Sequence, residues 1–150
     1  MTQTLAFTGG TGYLLARTGS AARQRWARML AERGVTPHQY GMLMALDEIG
    51  PVGQQRLSAL VGIDPRNAVP VIDILAERGL LIRETDPTDR RRRVLALTES
   101  GRGLVRDLTA TGTAIERQFL RALSPADRAN LHRILLALLA TNLDDARAEI

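Results

Sequence analysis

The stretch Asp86-Pro-Thr-Asp-Arg-Arg-Arg-Arg-Val-Leu-Ala-Leu-Thr98 constrains this chain more than any other. Asp-Pro favours a tight turn, because proline presets one backbone angle and aspartate accepts hydrogen bonds from the residues that follow. Four consecutive arginines, Arg90 to Arg93, come next and run into an alternating strand. Just upstream, two short helical segments meet at Gly62-Ile63-Asp64. A basic hairpin placed directly after two turn-linked helices implies a helix-turn-helix with a wing. Four arginines in an isolated turn are often only a solvated charged tip. In this position they favour nucleic acid, with the wing arginines holding phosphates or entering the minor groove.

A chain of 150 residues suffices for one domain, or for one DNA-binding unit with a helical appendage. Apolar residues make up 45%, which predicts a globular fold. Aromatics are only 3%, so the core must rest on Leu, Ala, Val and Ile. The absence of cysteine excludes disulfides, thiolate metal sites and thiol redox sensing. No apolar run approaches a membrane span, and no basic-then-apolar leader opens the chain. A cytoplasmic location with no membrane partner is therefore expected. All twenty basic residues are arginine, and genomic base composition explains that bias as readily as function does. Arginine nevertheless presents a planar fork of donors suited to phosphate and guanine. The net charge is +2 over residues 1–50, +2 over 51–98 and zero over 99–150. The signal lies in the clustering at 90–93 rather than in the total.

The punctuation predicts a mostly α chain with a small β-hairpin. Residues 1–11 read as a flexible arm. A helix over 12–33 carries a rough apolar stripe of Leu14, Ala21, Ala22, Trp26, Met29 and Leu30, and Gly34 stops it. Thr36-Pro37 starts a second helix as cap and first-turn proline. Gly50-Pro51-Val52-Gly53 reads as a short break, and Gln54 to Val61 as a third helix. Asp64-Pro65 opens a fourth, with Ala68, Val71, Ile72 and Leu75 inward at helical spacing. Its outward face is Arg66, Asn67, Pro70, Asp73 or Ile74, and Glu77. Strands are expected at Leu80 to Glu84 and Arg93 to Thr98, then a helix from about Glu99 to Ala122. Ser124-Pro-Ala-Asp127 resembles a capping box before a last helix. That helix is apolar over more than one stripe from Leu131 to Leu139, so it needs a second covering surface. The same region of a second subunit supplies one, which makes Leu131, Leu135, Leu138 and Leu139 the dimer-interface candidates.

Three segments in this order resemble the multiple antibiotic resistance regulator (MarR) family of winged-helix transcription factors. They are Leu75-Ala-Glu-Arg-Gly-Leu-Leu-Ile-Arg83, Asp89-Arg90-Arg91 with Val94-Leu-Ala-Leu-Thr98, and Leu123-Ser-Pro-Ala-Asp127. The resemblance covers about residues 12–143. It implies a homodimer held by the first, fifth and sixth helices, a recognition helix at about 64–78 in the major groove, and a wing at about 81–98 in the minor groove. It also implies a pocket for a small, often aromatic or phenolic, anion. On this division residues 12–35 and 99–150 form the dimerisation region, and 36–98 the winged helix-turn-helix lobe. Pro70 departs from the family pattern, in which a polar or basic residue is common, and proline removes a backbone donor inside the helix.

The DNA-binding candidates are Gln54, Gln55 and Arg56 for the backbone, Arg66, Asn67 and Pro70 on the recognition helix, and Asp89, Arg90, Arg91, Arg92 and Arg93 on the wing. The resemblance makes Arg91 the inserting residue and Asp89 its orienting partner. Arg66 suits guanine and Asn67 suits adenine, although both also fit a solvated helix start. Arg83 reads as a brace to Asp73 or Glu84. Tyr13, Trp26, Tyr40 and Met44 fit a core, and beside Arg17 they are also the candidate contacts for an aromatic effector. His38 and His132 lie far apart with no supporting acidic cluster, so no metal site is expected. Gly9-Gly-Thr-Gly12 resembles a phosphate loop, but Leu15 stands where a dinucleotide fingerprint needs glycine, and helices rather than βα units follow. No cofactor and no enzymatic activity are expected. The chain therefore reads as a ligand-responsive repressor that binds palindromic operators as a homodimer. The alternative is an effector-independent architectural DNA-binding protein.

Overall fold

The computed structural model describes residues 6–148, with side chains described over 8–142. Helix α1 spans Thr11–Glu32, α2 Pro37–Ile49, α3 Gln54–Leu60 and α4 Pro65–Glu77. Strands β1 (Leu81–Thr85) and β2 (Arg93–Leu97) follow, then α5 (Glu99–Phe119) and α6 (Pro125–Ala148). This is the mostly α winged architecture expected from the sequence, with strand ends within a residue of expectation. Helix α5 stops three residues earlier than expected. Of the arm expected over residues 1–11, Ala6–Gly9 forms a 3-10 turn and Thr11 already lies in α1, while residues 1–5 lie outside the described residues. No strand precedes α1 among the described residues, so the glycine run does not follow the strand a phosphate loop requires.

Local chemistry sets most boundaries. Thr36 Oγ1 accepts from Gln39 N–H at 3.2 Å, and Gln39 Oε1 accepts from Thr36 N–H at 3.0 Å, closing a capping box. The same box satisfies Gln39, which is buried. The α3–α4 turn passes through Gly62 at φ +68°, a left-handed conformation that costs other residues about 1 kcal/mol or more. Asp64 Oδ1 then accepts from Arg66 N–H at 2.8 Å and caps α4.

The core joins α2, α3, α4, the hairpin and α5 through Met42, Leu43, Leu46, Leu57, Ala68, Ile72, Leu75, Leu81, Leu95 and Val105. Each large aliphatic side chain contributes about 1.5–3 kcal/mol by burial. The hairpin is antiparallel, with Leu81 opposite Leu97 and Thr85 opposite Arg93. Val52, expected to lie in a plain break, pairs with β2 instead. Its N–H donates to Leu95 O at 3.1 Å, and it accepts from Leu95 N–H at 2.8 Å. One residue thus serves as a third strand, tying the end of α2 to the wing.

The start of α5 is seated on the base of the hairpin. Thr98 N–H donates to Leu80 O at 3.1 Å, Thr98 Oγ1 donates to Gly79 O at 2.6 Å, and Gly101 N–H donates to Thr98 Oγ1 at 3.0 Å. Gly101 is buried there, and a Cβ would lie 2.0 Å from Leu80 O. Arg33 ties the end of α1 to α5 through Asp107 (2.5 Å) and Thr111 Oγ1 (2.8 Å). These contacts belong to a compact unit that ends at Thr113. A second unit from Ala114 holds the end of α5 and α6, whose start is capped by Ser124 Oγ accepting from Asp127 N–H at 3.1 Å.

Candidate nucleic-acid interface

Helix α4 presents two unlike faces. Ala68, Ile72 and Leu75 are fully buried, whereas Arg66, Asn67, Val69, Pro70, Ile74 and Glu77 are exposed. Asp73 is partly exposed and pairs with Arg83 of β1, the brace anticipated from the sequence. Pro70 does not break α4, which continues from Pro65 to Glu77. Gln55 and Arg56 are exposed on α3, while Gln54 is half-buried and its carbonyl accepts from the buried Ser58 hydroxyl at 2.8 Å.

The wing tip is ordered by its two aspartates. Asp86 Oδ1 accepts from Thr88 Oγ1 at 2.7 Å and from Thr88 N–H at 2.8 Å. The Thr88 hydroxyl and then the Thr88 N–H hold the Asp86 carboxyl below the usual carboxylate range. Asp89 Oδ1 accepts from the backbone N–H of Arg91 at 3.0 Å. Asp89 thus positions Arg91 through the main chain, and not through a pairing with its guanidinium. Across the loop, Asp86 N–H donates to Arg92 O at 2.9 Å. Arg93 turns back along the hairpin, where its Nη2 donates to Arg83 O at 3.2 Å. The guanidinia of Arg90, Arg91 and Arg92 are exposed and make no hydrogen bond or ion pair with a described residue. The tip thus carries three like charges on a backbone pinned by Asp86 and Asp89.

The aromatic candidates separate. Trp26 and Tyr40 meet edge to face with centroids 4.9 Å apart, and Trp26 lies against Gly112 of α5, where a Cβ would stand 3.5 Å from its ring. Burial pushes the Tyr40 phenol up from its usual pKa. Met44 follows Tyr40 by one turn of α2 and packs against the lobe core. Tyr13 and Arg17 are exposed on α1. Arg17 precedes Trp26 by nine residues, about 180° around a helix, so it projects from the opposite face, and Tyr13 lies close to it. The structure brings Trp26 and Tyr40 together, leaves Met44 on the lobe core, and directs Arg17 away from Trp26. Sequence reading missed Gly112, since nothing local marks a glycine as the seat for a ring eighty-six positions away.

In α6, Leu131 is half-buried, and Ile134, Leu135, Leu136, Leu138 and Leu139 are exposed. No described helix is long and apolar enough to cross a membrane. Among the described residues no group of three His, Asp or Glu side chains could hold a metal ion.

This arrangement has close relatives. The sequence model of the MarR family matches residues 35–92. The transcriptional regulatory protein proposed for the hcr operon of Thauera aromatica is 36% identical over 137 residues, spanning 89% of this chain and 81% of that protein. A crystal structure assigned as a transcriptional regulator from Pseudomonas aeruginosa is 32% identical, with a TM-score of 0.66 over 88% of this chain and 98% of that one. CouR from Rhodococcus jostii, solved with p-coumaroyl-CoA bound, is 29% identical, with a TM-score of 0.70 over 90% and 95% of the two chains. An exposed recognition helix, a pinned arginine tip and this similarity along most of its length identify the chain as a member of the MarR family and a DNA-binding transcriptional regulator.

Proposed function

We propose that the protein is a ligand-responsive repressor that binds palindromic operators as a homodimer, with residues 36–98 as the DNA-binding lobe. The observation that carries this reading is the arginine tip: three exposed, unpaired guanidinia on a backbone held by Asp86 and Asp89. Arg91 enters the minor groove, Arg90 and Arg92 hold phosphates, and Gln55 and Arg56 contact the backbone beside α3. Arg66 and Asn67 read base edges from the first turn of α4. The exposed leucines of α6, Leu135, Leu138 and Leu139, together with Leu131, supply the self-complementary surface of a two-fold dimer. Residues 12–35 and 99–150 then hold the dimer together, and the protein acts in the cytoplasm. The effector is a small aromatic anion or its thioester, seated on the Trp26–Tyr40 pair. Support comes from the CouR complex with p-coumaroyl-CoA and from the protonated, half-buried Tyr40 phenol, which can donate to an anionic or carbonyl oxygen.

Selection of bound duplexes from a random pool tests this directly. Two-fold symmetric sites with affinity falling steeply in salt are expected. Asymmetric sites, or salt-independent binding, overturn the dimeric-operator reading. Fluorescence anisotropy on the selected duplex then follows release by p-coumarate, 4-hydroxybenzoate and their coenzyme A thioesters. Failure of every such compound to release the DNA favours the effector-independent architectural alternative.

A further inference from the structure

The recognition helix carries an exposed apolar ridge for which the fold has no use. Val69 is 40% exposed and Ile74 is 44% exposed, and Pro70 is exposed between them. The apolar needs of the lobe are met by the opposite face, where Ala68, Ile72 and Leu75 are fully buried. At about 100° per residue, Val69 and Pro70 lie one turn beyond Arg66 and flank its direction, and Ile74 lies one turn beyond Pro70. The ridge is thus continuous with Arg66 and Asn67.

Pro70 is informative because of what it lacks. Its side chain can neither donate nor accept a hydrogen bond, and its nitrogen cannot donate to Arg66 O. A base step facing Pro70 can be distinguished only through shape and apolar contact. In the major groove one base feature answers to that chemistry, the C5 methyl of thymine. Charge is graded along this face, positive at its N-terminal end and negative at its C-terminal end, where Glu77 is exposed. Arg66 stands on its leading edge, the unpaired tip of Arg90, Arg91 and Arg92 belongs to the same lobe, and Asp73 is neutralised by Arg83.

We propose that Val69 and Pro70, extended by Ile74, form a thymine-methyl reader. It would select thymine one to two base pairs beyond the step read by Arg66 and Asn67. This specificity rests on α4 entering the major groove, and it adds the class of base read by residues that cannot hydrogen-bond to it.

The probe is the duplex selected from the random pool, synthesised with thymidine and again with deoxyuridine at every thymidine position. The change removes only C5 methyl groups. A buried methyl is worth about a 4-fold change in affinity, so the two half-sites of a palindrome give roughly a 15-fold loss on the uracil duplex. Both side chains are exposed, and serine at position 70 restores a backbone donor to the helix, so the Val69→Ser/Pro70→Ser protein keeps its fold. It is expected to bind the two duplexes equally, at an affinity near that of wild type on uracil DNA. Equal binding of both duplexes by wild type, with Arg91→Ala weakening both, overturns the methyl reader and leaves the DNA-binding reading intact. An undiminished uracil penalty in the double variant also overturns it, because the methyls are then read elsewhere. A change of oligomeric state in the double variant marks the ridge as a protein interface and overturns it too. If no duplex is enriched and none binds in a salt-dependent way, the underlying DNA reading fails along with it.

Discussion

Gly101→Ala tests the seating of α5 on the wing more sharply than any core truncation. The added Cβ would lie 2.0 Å from Leu80 O, 3.0 Å from Leu80 C and 3.1 Å from Leu97 Cδ2. Carbon and oxygen approach to about 3.3 Å at the closest, so the helix or the Leu80 carbonyl must move by roughly 1.3 Å. The obstructing atom is backbone and cannot rotate away. Overpacking of this kind costs about 1–3 kcal/mol. The movement also strains the Thr98 N–H bond to Leu80 O and the Thr98 Oγ1 bond to Gly79 O, each worth about 0.5–1.5 kcal/mol. Replacing glycine in a helix returns at most about 1 kcal/mol. A net loss of about 2–4 kcal/mol follows, or roughly 5–15 °C in Tm for a chain of this size. Gly103→Ala is the internal control. Its Cβ would meet only the Arg106 guanidinium at 3.8 Å, so a gain of about 0.5–1 kcal/mol is expected. Both variants are melted at one protomer concentration, because the Tm of the proposed dimer would depend on it. A Gly101→Ala protein melting within a degree of wild type, or above it, refutes the close approach.

Four further outcomes are expected. Arg91→Ala should leave stability within about 0.5 kcal/mol of wild type and weaken DNA binding by about 1–3 kcal/mol, and wild-type affinity in an anisotropy titration would rule out its insertion. Leu135→Asp should cost several kcal/mol of association by burying an unpaired carboxylate, and sedimentation showing an intact dimer would move the interface off this face of α6. Pro70→Ala should raise stability by about 1–3 kcal/mol, because the Arg66 carbonyl regains a donor inside α4, and an unchanged denaturation midpoint would contradict that. Asp86 is held below its unfolded pKa, so its contribution to the wing turn is full above the ordinary carboxylate range near 3.9 and is lost as pH falls through the lowered folded value. The Thr88 amide resonance should therefore titrate with a midpoint below 3.9, and a midpoint at or above it would refute the Asp86–Thr88 bonds.

The DNA-binding candidates were legible because each rests on short-range chemistry. Asp86-Pro marks a turn, Asp64-Pro65 a cap, and Arg90 to Arg92 are exposed because a hairpin tip leaves them nowhere to be buried. Arg93 looked the same in sequence, yet strand pairing with Thr85 turns its guanidinium onto Arg83 O. The effector candidates were less legible. Helical periodicity put Tyr13, Arg17 and Trp26 on one helix, but the partner each meets depends on what packs beside that helix. Only Trp26 and Tyr40 came together, over a glycine no periodicity could single out.

By itself the sequence determined where helices start and stop, which face of α4 is buried, and that a basic hairpin follows it. Caps, prolines and left-handed glycines act within four residues of their own position, so they read the same in any fold. Only the tertiary structure decided that Val52 joins β2, that Arg33 reaches Asp107 seventy-four residues away, and that Gly101 must stay bare against Leu80. Those contacts depend on the direction in which packed helices and strands approach one another. That direction is set by the fit of the whole core around Leu43, Leu57, Ile72 and Leu75, and no local pattern encodes it.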